Sequence, residues 1–191
     1  RQESVKRMLA YSSIGHIGMI LMGVLVMNET GTNAILFYGL VYTFMTLAAF
    51  FITGFVVNRY GSDDHVFFRG LVRSNPFLTI CFVIVLFSLA GMPPFGGFVA
   101  KFNMISAAIN SKLYTLSFIA AINSVISLYF YIRLAKTMTL DEPDEESEEL
   151  TGYTVPARVY LAALTIPVVA LGIFWDKIYK VYSAATIAFG G

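Results

Sequence analysis

The chain alternates long apolar runs with short polar clusters. Five runs stand out, at 8–27, 34–57, 77–110, 113–135 and 157–175. A helix needs about 20 residues to cross a hydrocarbon core ~30 Å thick, and four of these runs meet or approach that length. The run 77–110 behaves differently. As one unbroken helix its 34 residues would reach ~51 Å at ~1.5 Å per residue, which is too long. Its halves, 77–91 and 96–110, have 15 residues each, too few for two separate crossings. Gly91, Pro93, Pro94, Gly96 and Gly97 lie at the centre and interrupt a helix. The pattern therefore predicts one crossing built from two half-helices with a break at 91–97. Backbone groups freed at such a break need protein or water partners, so this segment faces the protein interior. The expected fold is an all-α membrane protein, a bundle of five transmembrane helices with the third discontinuous. Residues 1–140 would hold four helices, 141–156 an acidic loop, and 157–191 the last helix and a tail.

Composition supports this class. The chain is 57% hydrophobic and 13% charged, with a mean hydropathy of +0.71, against about 25% charged residues in ordinary soluble domains. A net charge of +1 gives no footprint for nucleic acid. The single cysteine, Cys81, lies in an apolar run and forms no framework or metal motif. The chain opens on Arg1, and RQESVKR leads straight into a span-length run, so no signal peptide is expected and a fragment or half of a divided subunit is. With one crossing at 77–110, nine cations (Arg1, Lys6, Arg7, Arg59, Arg69, Arg73, Arg133, Lys136, Arg158) share one side against Lys112, Lys177 and Lys180. That is a positive-inside bias, but two crossings would give the same count, so length decides the topology. Loop 58–76 is expected to hold a short surface helix. The loop DEPDEESEELTG at 141–152 reads as a solvated linker; it lacks the ligand spacing and glycine turn of a calcium site. Trp175, Tyr179 and Tyr182 suit an interface.

The candidate chemistry centres on Lys101. An amine in hydrocarbon is costly and seldom incidental. It lies nine residues before Asn110, ~13.5 Å along a helix and close to mid-depth, beyond the ~6 Å reach of its own stem to water. It is either a group that loads and releases a proton or a structural lysine pairing with the open carbonyls of the break. His16 lies at similar depth in the first run and can relay protons through two nitrogens, or it is a core histidine held by a carbonyl or hydroxyl. Ser12 and Ser13 precede it on a similar face, to hold water or to bond back to their own helix. Tyr38, Tyr42 and Thr46 form a stripe every four residues, as path lining or as packing. Asn123, Ser127 and Tyr131 do the same in the fourth run. Glu29 sits in a loop, and no other acid falls inside a span. The partner of Lys101 is therefore expected to be His16, water or a group elsewhere. No nucleotide-binding glycine pattern, haem ligand set or cysteine cluster is present, so no cofactor is expected in this chain.

KRMLAYSSIGHIG at 6–18 and LAGMPPFGGFVAKF at 89–102 resemble the antiporter-like membrane subunits of respiratory complex I. The SNPFL before the break, the Tyr-rich helix after it and YIRLAKTM at 131–138 point within that family to the subunit N group, called subunit 2 in mitochondria. The resemblance covers residues 5–140 and, more weakly, the last helix. It implies fourteen membrane helices with two inverted five-helix repeats, of which this chain resembles helices ten to fourteen. It places Lys101 at the lysine of the broken helix and His16 at a histidine position. Sister subunits carry a lysine in a His-rich motif where this chain has Thr46, with Tyr38 and Tyr42 at the histidine positions; that departure argues against a central relay through the second run. The implied activity is proton translocation driven by NADH:quinone oxidoreduction, with flavin, iron–sulfur clusters and quinone elsewhere in the complex. Implied partners are other membrane subunits, neighbouring antiporter-like subunits among them, and lipid. The membrane would be the bacterial plasma membrane or, alternatively, the mitochondrial inner membrane. The competing readings are a stand-alone cation/proton antiporter subunit and a passive assembly subunit.

Overall fold

A computed structural model describes residues 2–142 and 154–178. The acidic stretch 143–153 and the tail from 179 lie outside the described residues. Regular structure within them is helical, apart from one isolated bridge between Ser4 and Asp64. The helices are α1 (Val5–Val26), α2 (Glu29–Tyr60), α3 (Leu71–Ser74), α4 (Pro76–Ala90), α5 (Gly96–Asn110), α6 (Tyr114–Thr139) and α7 (Val155–Ile173), with a 3-10 turn at His65–Phe68. The surface helix expected in loop 58–76 is thus this 3-10 turn followed by α3. Four helices, α1, α2, α6 and α7, are long and apolar enough to cross a membrane. The 77–110 run resolves into two helices of 15 residues each, α4 and α5.

Local sequence explains most boundaries. Ser4 caps α1 by accepting from the Arg7 amide at 3.1 Å, and Asn28 caps α2 by accepting from Gly31 at 2.9 Å. Asn75 caps α4 by accepting from Leu78 at 3.1 Å, and Pro76 follows at the first helical position, where its missing N–H costs nothing. The break is narrower than expected. Gly96 and Gly97 belong to the first turn of α5 rather than to the interruption. A helix start leaves its first amides free anyway, so two glycines there cost little, and other backbone approaches them closely, as described below.

α2 is the central helix and touches α1, α4, α5 and α7. Its inward stripe includes Phe37, Val41, Met45, Ile52 and Val56, each at most 1% exposed. α6 covers α4 and α5 and leaves most of its outer apolar surface open, with Phe118, Val125 and Tyr129 exposed.

The two ends of the bundle close differently. At the end with the N-terminus of α1, the Val5 amide donates to the Asp63 carbonyl (2.9 Å) and the His65 amide to the Glu3 carbonyl (3.0 Å). The Asp63 carboxylate accepts from the Ser4 hydroxyl at 2.5 Å and the Lys6 amide at 3.1 Å. At the same end, the Gly70 amide donates to the Thr137 carbonyl of α6 at 3.1 Å. At the opposite end, the Asn28 side chain reaches Ser111 at 3.5 Å. The N-terminus of α4 therefore lies at one end of the bundle and the C-terminus of α5 at the other.

The Ser4 hydroxyl bond, aided by the Lys6 amide, holds the Asp63 carboxyl below its ordinary value of 3.8. A carboxyl lowered in the folded state stabilises above the unfolded value and loses that contribution as pH falls through the folded one. The Ser4–Asp63 clasp is accordingly expected to hold at neutral pH and to open only below about pH 4. Hydrogen exchange at the Lys6 amide checks this: protection should fall on acidification, and Asp63→Ala, which removes the acceptor, should lose most of it at neutral pH.

Candidate functional site

The site begins with the carbonyl ledger at the end of α4. A helix leaves its last four carbonyls without intrahelical partners, here those of Phe87, Ser88, Leu89 and Ala90. Gly91 turns the chain with φ of 85°, a left-handed conformation that a side chain disfavours. Its amide donates to Phe87 (3.1 Å) and Ser88 (2.9 Å), and the Met92 amide also donates to Phe87 (3.0 Å). That leaves Leu89 and Ala90. Lys101 supplies both, with Nζ donating to their carbonyls at 2.9 and 3.0 Å. An ammonium at a helix C-terminus also meets the negative end of the helix dipole. Lys101 is 7% exposed, and its stem lies where a Cβ on Gly91 would be, 2.8 Å from Cδ.

Of the partners weighed for Lys101, the open carbonyls of the break are the ones it reaches. Its direct acceptors are the break's own carbonyls, not His16, because the loop geometry leaves these two oxygens uncovered within reach of the second turn of α5. The two half-helices are tied a second time by the Gly97 amide donating to the Ser88 hydroxyl at 2.9 Å. Ser88, fully buried, carries no motif in the sequence; only its contact reveals it.

His16 is buried at 5% exposure between two tyrosines. Nδ1 lies 2.9 Å from the Tyr38 hydroxyl and Nε2 lies 3.4 Å from that of Tyr131. Tyr131 in turn bonds Ser12. Tyr42 stacks on the imidazole, with ring centroids 5.0 Å apart. A neutral imidazole donates at one nitrogen and accepts at the other, so a tyrosine on each side can serve either tautomer. Tyr131 entered the sequence reading only as a member of a stripe, and Tyr38 as a stripe member at one of the sister subunits' histidine positions. The structure makes them the two partners of His16, and it brings the second run into the network despite the missing lysine and histidines there.

Lys101 and His16 border the same cavity, of about 20 Å³, with Ser12, Gly15, Met19, Tyr38, Asn123, Ser124 and Ser127 around it. That volume has room for about one water molecule, and the walls supply several polar partners for it. Ser127 and Ser124 donate to the carbonyls of Ser124 (2.8 Å) and Ala120 (3.0 Å). Ser12, Gly15, Asn123 and Ser127 are shared with a larger, mostly apolar groove of about 470 Å³ between α1 and α6. Three expected residues are not among the small cavity's walls: Tyr42, which stacks on His16, and two more. Ser13 bonds back to the Leu9 carbonyl at 3.0 Å, and Thr46, half-buried on α2, is not among the cavity's walls. A buried amine, an imidazole and a chain of hydroxyls thus meet around a water-sized space beside the turn between α4 and α5. Among the described residues there is no cluster able to hold a metal ion.

The chain is an all-helical bundle with four helices long and apolar enough to cross a membrane and a lysine at the turn between α4 and α5. Residues 1–127 match the family described as NADH:quinone oxidoreductase/Mrp antiporter, transmembrane, and the chain belongs to that family. It is 40% identical to "NADH-quinone oxidoreductase subunit N 2" of Sorangium cellulosum over 93% of this chain and 36% of that protein. It is 39% identical to "NADH-quinone oxidoreductase subunit N" of Azobacteroides pseudotrichonymphae over 100% of this chain and 39% of that one. In the structure of respiratory complex I from Thermus thermophilus with bound aureothin, one chain superposes with a TM-score of 0.81 at 29% identity, covering 94% of this chain and 40% of that chain. The chain therefore spans less than two fifths of the length of these two curated relatives.

Proposed function

We propose that this chain is the proton-conducting C-terminal portion of a subunit N-type membrane protein in an NADH:quinone oxidoreductase. In this reading it crosses a bacterial plasma membrane five times. α4 and α5 together make the third, discontinuous crossing, equivalent to helix twelve of fourteen. Its neighbours are other membrane subunits of the complex and lipid, and the redox groups lie outside this chain. The observation that carries the reading is the shared cavity: Lys101 and His16 border one water-sized space at a helix break. Broken helices at mid-depth are where membrane transporters place their ion sites.

The relay runs from Lys101 through a cavity water to His16, then over Tyr131 to Ser12 or over Tyr38 toward α2. Each group can accept a proton on one side and release one on the other. Lys101 has two states available. Charged, it caps the Leu89 and Ala90 carbonyls; neutral, it loosens from them and faces the cavity. Coupling to quinone chemistry then consists of changing which state the surroundings favour.

His16→Leu in the intact complex tests the relay, because leucine keeps the bulk and removes both nitrogens. Proton pumping per quinone reduced should drop severalfold while complex content stays near normal. An unchanged pumping ratio would remove His16 from the path.

A further inference from the structure

We propose that Gly172 of α7 is a positioning residue for Lys101. The final helix clamps the α4–α5 discontinuity through a contact that admits no side chain, and this contact fixes where the amine points. The functional consequence rests on the proton-carrying reading of Lys101; the clamp itself rests on geometry alone.

A Cβ built on Gly172 would overlap the Pro94 carbonyl oxygen and lie 2.7 Å from the Gly96 amide nitrogen. From the other side, a Cβ on Gly96 would lie 3.0 Å from the Val168 carbonyl oxygen and 3.3 Å from Leu171 Cβ. One turn of α7 thus lies flush against the main chain at 94–96. The atoms in the way are backbone, which cannot rotate aside. The contact at Gly23 is softer: a Cβ there meets the flexible ends of Ile35 and Met104.

α5 needs such support. Its N-cap residue, Phe95, makes no side-chain capping bond. The start of α5 is held by the Ser88–Gly97 bond on one side and by α7 on the other. α7 is itself anchored by Leu164, Val168 and Leu171, all at most 7% exposed. Lys101 follows Gly96 by little more than one rigid turn, so a shift at 94–96 moves Nζ with it. Its bonds to Leu89 and Ala90, at 2.9 and 3.0 Å, do not survive a displacement of about 1 Å. The last helix, which contributes no residue to the cavity walls, would then decide whether the amine meets its acceptors.

The test uses the full-length subunit in the assembled complex, with Gly172→Ala, the milder Gly96→Ala, and Gly18→Ala as a control at a position with open space. Lys101 is acetylated with acetic anhydride in the intact complex and quantified by mass spectrometry, with exposed Lys112 as internal reference. The clamp predicts a several-fold rise in Lys101 acetylation for Gly172→Ala, a smaller rise for Gly96→Ala and none for Gly18→Ala, with Lys112 unchanged. Pumping per quinone reduced should fall in the same order. A rise in labelling with normal pumping would uphold the clamp and sink the proton-carrying reading of Lys101. Unchanged Lys101 labelling in assembled Gly172→Ala and Gly96→Ala complexes would overturn the clamp. So would failure of both to assemble beside a normal Gly18→Ala, since Gly172 would then serve assembly alone.

Discussion

Lys101→Met in the intact complex should abolish proton transfer through this subunit while leaving the subunit in place. Methionine keeps an unbranched apolar stem against Gly91, so the packing at the break survives. The substitution removes the amine from the Leu89 and Ala90 carbonyls. An unsatisfied buried acceptor costs about 1–3 kcal/mol, but burying an ammonium is itself unfavourable, and the two effects oppose each other. The fold should therefore tolerate the change. Proton transfer should not, because positioned acid–base groups contribute on the order of 10²–10⁴-fold to the steps they serve. The measurement is proton pumping per quinone reduced, alongside complex content in the membrane. Loss of pumping at normal content supports the carrier; normal pumping at normal content would leave Lys101 as a helix cap and no more. Loss of content would favour the passive assembly reading.

The second large effect is on stability. Gly97→Ala should prevent or severely weaken assembly. A Cβ there would run into the Ser88 carbonyl oxygen, a backbone atom, and would lie 2.9 Å from the Ser88 hydroxyl that its own amide binds. Overpacking of this kind costs about 1–3 kcal/mol, and losing the bond adds about 0.5–1.5 kcal/mol. The sum, roughly 1.5–4.5 kcal/mol, is a large part of a typical stability margin of about 5–15 kcal/mol. Gly54→Ala, on α2 with nothing within 4 Å of its added carbon, is the matched control. Subunit content and the thermal midpoint of the isolated complex should fall for Gly97→Ala and hold for Gly54→Ala. Equal content and midpoints for the two would mean that the half-helices are not tied at Ser88.

These predictions divide along what each level of description makes visible. The helices were legible from apolar run length, because a hydrocarbon-spanning helix must hide its whole backbone and so writes an unmistakable stretch into the chain. α1 and α2 begin a few residues before the expected limits, where Ser4 and Asn28 cap them, and α6 runs four residues past its expected end. The division of 77–110 was legible too, since 34 residues fit neither one helix nor two crossings. Lys101 and His16 could be singled out because charge and titratable groups are scarce in such runs. The motifs around them carried the family.

Partnership was not legible. Periodicity puts Ser12 and Ser13 on neighbouring positions of one helix and cannot say that Ser12 meets Tyr131 while Ser13 bonds to Leu9. It marks Tyr38 and Tyr131 as stripe members 93 residues apart, and nothing local brings them to opposite sides of one imidazole. Ser88 and Gly172 bear no local signal at all; their importance lies in backbone that approaches from another segment. The sequence by itself determined an all-helical membrane bundle, an apolar run divided between two helices and a buried amine beside the division, because hydrocarbon burial and backbone hydrogen bonding act locally. Only the tertiary structure decided that the amine caps Leu89 and Ala90, that it shares a water-sized cavity with His16, and that α7 lies flush on the break. Those are distances between remote segments, and they are set by how whole helices pack.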